Sequence, residues 1–137
     1  MDDFLRDVKI IEDKRGKLAV FENGNNCPFE VKRAYCIFDV KENEERGFHA
    51  HKKLEQICVC LKGSCDFVLD DGKEERTFHL DSPAKGLYVG NNFWRVMKNF
   101  SKDCVLIVLA SEHYDESDYI RNYEEFLEYT KKENKNG

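Results

Sequence analysis

The sequence has no long apolar run. Nothing approaches the roughly 20 consecutive apolar residues of a bilayer-spanning helix, and the opening MDDFLRDVKIIEDKRG lacks the apolar centre of a secretory signal. No membrane partner is expected, and cytoplasmic residence follows. A basic excess is missing too, since 22 Lys and Arg against 27 Asp and Glu leave a net charge of −5. Nucleic-acid binding needs a basic surface, so an anionic ligand here must be small and met by a local positive cluster. Cysteine pairs at metal spacing are absent: Cys58 and Cys60 form C-x-C rather than C-x-x-C, and no second pair follows. That argues against a zinc site, and without a secretory signal the six cysteines are expected to stay reduced. Cys36, Cys58, Cys60 and Cys104 sit in apolar runs and read as small buried hydrophobes. No repeat or linker divides the chain, so residues 1–137 read as one domain.

What is present is β-patterned. An apolar fraction of 41% with ten Phe and six Tyr spread along the chain argues for a globular protein. Short segments such as Lys17 to Phe21, Lys32 to Val40, Gly47 to Lys53 and Gln56 to Leu61 are each edged by charged, Gly or Asn residues, and the pattern continues to Val105–Ala110. Asp70-Asp71-Gly72 marks a hairpin. About nine short strands predict an all-β jelly-roll barrel, a fold that keeps ligands in its lumen. Tyr119, Ile120, Tyr123, Phe126, Leu127 and Thr130 recur at helical spacing, so a short C-terminal helix is predicted from Asp118 onward, packed outside the sheet by Tyr119, Tyr123 and Phe126. The polar tail KKENKNG is expected to fray.

The most informative segment is Arg46-Gly47-Phe48-His49-Ala50-His51, because residues i and i+2 of a strand share a face and the two imidazoles then share a pocket. The segment resembles the first cupin motif, in which H-x-H is followed after three or four residues by a Glu and then, after six intervening residues, by a Gly. Counting back from Gly63 puts Gln56, not Glu55, at the ligand position. The second cupin motif ends in a His followed later by Asn; Asn99 fits, but Arg95 holds the His position. A guanidinium cannot ligate a metal and an amide is a poor substitute for a carboxylate, so no metal is expected, unless an irregular turn recruits Glu55.

From Arg46 onward, RGFHAHKKLEQ, CLKGS, LDDG, LDSPAKGLYVG, NFS and VLIVLASEHYDESDYIRNYEEF resemble the dTDP-4-dehydro-6-deoxyglucose 3,4-ketoisomerases, and the likeness extends to the N-terminal PFEVKRAYCIFD segment. The resemblance implies a cupin homodimer without cofactor. Its substrate is a dTDP-linked keto-deoxysugar whose carbonyl moves from C4 to C3, and the product passes to a PLP-dependent aminotransferase. Arg95 departs from the relatives' His and receives no role. Arg15-Gly16-Lys17 resembles the branch giving the galacto product.

This chemistry needs a base for the C3 proton, a donor for C4 and stabilisation of the enediol between them. His49 is the expected base, with His51 shuttling protons between O3 and O4 or protonating C4. Tyr35 shares a strand face with Arg33 and either binds the sugar oxygens, relays a proton, or is an ordinary barrel tyrosine. Arg33 and Arg46 are candidates for the diphosphate, or surface charges. Arg15, Lys17, Lys53 and Gln56 complete the expected substrate-binding set. Trp94 belongs to it only if it stacks on a base or sugar rather than filling the core, and Arg121 is given no site role. The competing readings are a sugar-nucleotide 3,5-epimerase and a non-catalytic sugar-nucleotide binding module.

Overall fold

The computed structural model describes residues 4–136. Its strands are β1 (Leu5–Asp7), β2 (Lys9–Asp13), β3 (Gly16–Val20), β4 (Arg33–Phe38), β5 (Arg46–His51), β6 (Gln56–Lys62), β7 (Cys65–Asp70), β8 (Glu75–Leu80), β9 (Lys85–Val89), β10 (Trp94–Lys98), β11 (Val105–Ala110) and β12 (Tyr119–Ile120), followed by helix α1 (Tyr123–Asn136). One antiparallel sheet runs β1-β9-β6-β11-β4 and the other β12-β5-β10-β7-β8, while β2 and β3 form a separate hairpin. This is the expected jelly roll.

The barrel interior is where the facing rows of the two sheets meet. Cys58, Cys60, Leu87, Val89, Leu106 and Val108 from the first pack against Phe67, Leu69, Phe78, Leu80 and Met97 from the second. Each fully buried aliphatic or aromatic side chain of this kind contributes roughly 1.5–3 kcal/mol. Strand β6 is buried on both faces, because Ile57 and Val59 pack outward against Cys27, Phe29 and Leu109. Hence QICVC reads as a continuous run instead of an alternation. The Asp70-Asp71-Gly72 turn forms as expected, with Gly72 at φ 96 and the Asp71 carboxylate accepting from the Lys73 and Glu74 backbones.

Three expectations are corrected. Cys36 is exposed, because it lies on the outward face of β4, an edge strand over which none of the described residues packs, whereas Cys58, Cys60 and Cys104 are buried. The helix begins at Tyr123 rather than Asp118: Asp115 caps a short 3₁₀ turn at Glu116–Asp118, Tyr119–Ile120 then pairs with β5, and the Asn122 side chain accepts from the Glu125 backbone to start the helix. Tyr119 is therefore a strand residue, and α1 packs on Ala50, Trp94 and Ile120 through Phe126. The polar tail continues the helix to Asn136, and Gly137 lies outside the described residues. Among those residues no helix is long and apolar enough to cross a membrane.

Candidate active site

A bulge prepares the histidines. On β5, Arg95 of β10 pairs with His49 and Val96 with Gly47, so Phe48 is an extra residue, held at φ 59 beside Gly47 at φ 99. A Cβ at Gly47 would lie 2.7 Å from the Arg95 carbonyl oxygen, so the close approach requires glycine. Beyond the bulge, His49 and His51 share the inner face with ring centroids 4.9 Å apart, while Ala50 points out beneath α1. The Tyr119 ring packs against both imidazoles at a steep tilt, with centroids at 5.0 and 4.3 Å.

The imidazoles are fixed in complementary ways. His49 donates from Nδ1 to the Gly47 carbonyl at 3.1 Å, which leaves Nε2 with a free lone pair. His51 donates from Nδ1 to Asp118 Oδ2 at 3.1 Å, and its Nε2 is buried with no partner. Burial first, and the Arg95 cation second, lower His49 to about 4 and His51 to about 2. Both are neutral at pH 7, each presenting a bare Nε2.

The cavity that His49 lines has a volume of about 390 Å³ and is bordered also by Arg33, Tyr35, Arg46, Tyr119 and Arg121, among others. Tyr35 comes from β4 and His49 from β5, so phenol and imidazole reach it from opposite sheets. Burial raises Tyr35 to about 12, against the opposing pull of Arg95 and of the hydrogen bond from Gln56. Arg33 lies over the Tyr35 ring at 5.2 Å with its Nε buried and unpartnered. Arg121 is held by Glu116 at 2.7 and 2.9 Å. This arginine-rich mouth suits an oxyanion, unlike the groove of about 410 Å³ along α1, which presents Glu124, Glu125 and Glu128.

The structure thus brings the candidates His49, Tyr35, Arg33 and Arg46 to one cavity, while His51 and Gln56 are buried behind it, His51 against the His49 ring and Gln56 bonded to Tyr35, and neither lines it. Trp94 is not among them. It is 9% exposed, on the outer face of its sheet between Ile120 and Phe126, so the core alternative holds. Lys53 also lies elsewhere, beside Glu112, His113 and Asp115, where its backbone N–H donates to Asp118. Arg15 and Lys17 ride on the β2–β3 hairpin, ion-paired to Asp13 and Glu12, away from the cavity of their own chain. Asp118, Tyr119 and Arg121 were missed because Tyr119 fits the helical period; the cap-rich Asp115-Glu116-Ser117-Asp118 run was the signal that a turn intervenes.

A family model described as FdtA, WxcM-like, C-terminal, matches residues 1–131. A TDP-4-oxo-6-deoxy-alpha-D-glucose-3,4-oxoisomerase of Aneurinibacillus thermoaerophilus is 54% identical over 134 residues, 98% of this chain and 96% of that one. QdtA, a sugar 3,4-ketoisomerase from Thermoanaerobacterium thermosaccharolyticum solved with TDP, is 46% identical over 94% of each chain with a TM-score of 0.91. The TDP-quinovose 3,4-ketoisomerase WlaRB of Campylobacter jejuni is 51% identical over 90% of this chain and 95% of that one, with a TM-score of 0.87.

Proposed function

The chain belongs to the FdtA, WxcM-like family of sugar 3,4-ketoisomerases, and from that premise we propose that its cavity takes TDP-4-keto-6-deoxyglucose and moves the carbonyl from C4 to C3. The enzyme is an isomerase. The observation that carries the mechanism is the neutral imidazole of His49 facing the Tyr35 phenol across an arginine-rimmed cavity, with a second neutral imidazole, His51, buried against it. His49 Nε2 takes the C3 proton, and the electrons form the C3–C4 double bond of an enediol. His51, whose Nδ1–H is committed to Asp118, accepts the O3 proton on Nε2 and returns it to O4. Tyr35 delivers a proton to C4 from the opposite sheet. Arg33 and Arg46 hold the diphosphate. The 3,5-epimerase and binding-module readings yield to this one because the relatives matched over nearly their full length are ketoisomerases by name.

Residues 1–137 act as one catalytic domain in the cytoplasm, where all six cysteines remain free thiols. The enzyme works as a homodimer: the β2–β3 hairpin joins neither large sheet and exposes Ile10, Ile11 and Leu18, and β4 offers an open edge. A partner's hairpin added to that edge would bring Arg15 and Lys17 toward a cavity that β4 itself lines. The product has the galacto configuration, on the Arg15-Gly16-Lys17 turn, and passes to a PLP-dependent aminotransferase that consumes the new ketone.

NMR of the purified protein with TDP-4-keto-6-deoxyglucose in deuterium oxide tests the reading. A 3-keto product labelled at C4 is expected, because base and acid are separate groups that exchange with water, and a small H4–H5 coupling marks the galacto configuration. Epimerisation at C5, or turnover with the C3 hydrogen carried intact to C4, would defeat it. Turnover is also expected to survive chelation. Gln56 and Arg95 occupy two positions at which a cupin metal site needs a carboxylate and an imidazole, so the donor set does not fit a metal. Loss of activity with EDTA and its return with a divalent ion would show that the imidazoles hold one after all.

A further inference from the structure

Arg95 is an uncompensated charge in the middle of the barrel. It is 1% exposed and makes no ion pair among the described residues. Its Nη1 donates to Gln56 Oε1 at 2.5 Å and its Nη2 to the Phe93 carbonyl at 3.0 Å, while Nε has no partner. Burying a cation without a carboxylate is costly, and an apolar residue of similar volume would serve packing as well or better. Stability does not account for it.

The hydrogen bonds around it run in one direction. A guanidinium can only donate, so the Gln56 carbonyl must face Arg95 and its amide nitrogen must face the other way. That nitrogen donates to the Tyr35 hydroxyl oxygen at 2.8 Å. Having accepted from Gln56, the Tyr35 hydroxyl cannot donate back to it, and its hydrogen is left for the cavity that Tyr35 lines.

Building on the ketoisomerase reading, we propose that Arg95, acting through Gln56, sets the proton-donating power of Tyr35, three strands thus supplying a one-way relay from buried cation to reacting sugar. When Tyr35 protonates C4, its O–H bond breaks, a C4–H bond forms and a phenolate remains. That phenolate receives the Gln56 N–H with the Arg95 charge behind it, so the anion meets a donor already oriented and needs no reorganisation. Exchange with water returns the proton to Tyr35 and removes the one held by His49. Arg95 and Gln56 are positioning residues in this scheme; Tyr35 is the group that touches the sugar. The resident cation acts as a field on the donor, a role open to no neutral residue at position 95.

The decisive variant is Gln56→Glu, assayed with chelator present because a carboxylate beside two imidazoles can recruit metal. A carboxylate holds Arg95 at least as well as an amide does, so a structural role is preserved or improved. As an acceptor only, however, it turns the Tyr35 hydrogen away from the cavity. We expect kcat to fall by about 100-fold or more, with TDP affinity within about three-fold and the melting temperature unchanged or raised. In the Tyr35→Phe background, Gln56→Glu should cost nothing further, since groups acting as a unit are not additive. Near wild-type turnover of Gln56→Glu, or a loss that multiplies with that of Tyr35→Phe, would overturn the relay while leaving the ketoisomerase reading intact. Absence of ketoisomerisation in the unmodified enzyme would instead defeat the reading. Should the Glu variant not bind TDP, the double variant Gln56→Leu with Arg95→Met removes charge and amide together and carries the same cycle against Tyr35→Phe.

Discussion

Replacing His49 by asparagine is expected to slow turnover by about 1,000-fold while TDP affinity changes by less than about three-fold. The base acts on a proton that moves only in the transition state, so its loss appears in kcat and scarcely in ground-state binding. Asparagine is small enough for the site and can still donate to the Gly47 carbonyl, so the bulge on β5 persists. His51 is not expected to stand in, because it is 1% exposed and tied to Asp118. The same residue shapes the pH dependence. Its pKa is depressed from 6.5 to about 4 by burial and Arg95, so the acid limb of kcat/KM should lie well below 6.5. Stability takes the matching sign: the unfolded imidazole binds protons first, so the folded state loses stability as pH drops from 6.5 toward 4. Stopped NMR assays and TDP titration of the variant measure both quantities. Turnover near that of the unmodified enzyme would remove His49 from the mechanism and leave His51 or Tyr35 as the base.

The parts of this site that were legible in the sequence are those governed by strand periodicity. His49 and His51 share a face because they are two apart, and Arg33 and Tyr35 do so for the same reason. The bulge at Gly47–Phe48 left that relation intact, since the extra residue precedes both histidines. Gln56 and Arg95 were legible as departures from a metal-binding pattern, but their meaning was not, because the bond between them joins β6 to β10 in different sheets. Trp94 shows the converse limit. It directly precedes Arg95, and alternation along β10 sends it to the outer face, where α1 covers it. Composition alone could not tell that layer from the lumen. Tyr119 and Arg121 were hidden because a strand of two residues is too short to break a helical period that Tyr123 and Phe126 continue. Arg15 and Lys17 sit on the β2–β3 hairpin away from the cavity, and strand periodicity carries no signal that relates that hairpin to the site.

Asp118→Asn is expected to lower kcat by about 100-fold with little change in KM, though no catalytic atom is removed. Asp118 is an acceptor on both oxygens: Oδ1 takes the Lys53 N–H at 2.8 Å, and Oδ2 takes the Leu54 N–H at 3.3 Å and His51 Nδ1 at 3.1 Å. Its backbone is pinned as well, with its carbonyl accepting from the Lys52 N–H and its own N–H donating to Asp115. The side chain of an asparagine there has two orientations, and each sets its amide nitrogen against a backbone N–H, a loss of about 1–3 kcal/mol. The favoured orientation keeps the shorter Lys53 bond and turns the nitrogen toward Leu54 and His51. An amide N–H facing Nδ1 forces the His51 proton onto Nε2, the atom that must accept from O3. The imidazole stays in place in the wrong tautomer, and the shuttle stops. Nitrogen-15 NMR of histidine-labelled enzyme reads this directly: Nδ1 protonated in the unmodified protein and Nε2 protonated in the variant. A variant with the switched tautomer and unimpaired kcat would exclude His51 Nε2 as the shuttle. Lost activity with the original tautomer retained would assign Asp118 a packing role on the 115–120 strap alone.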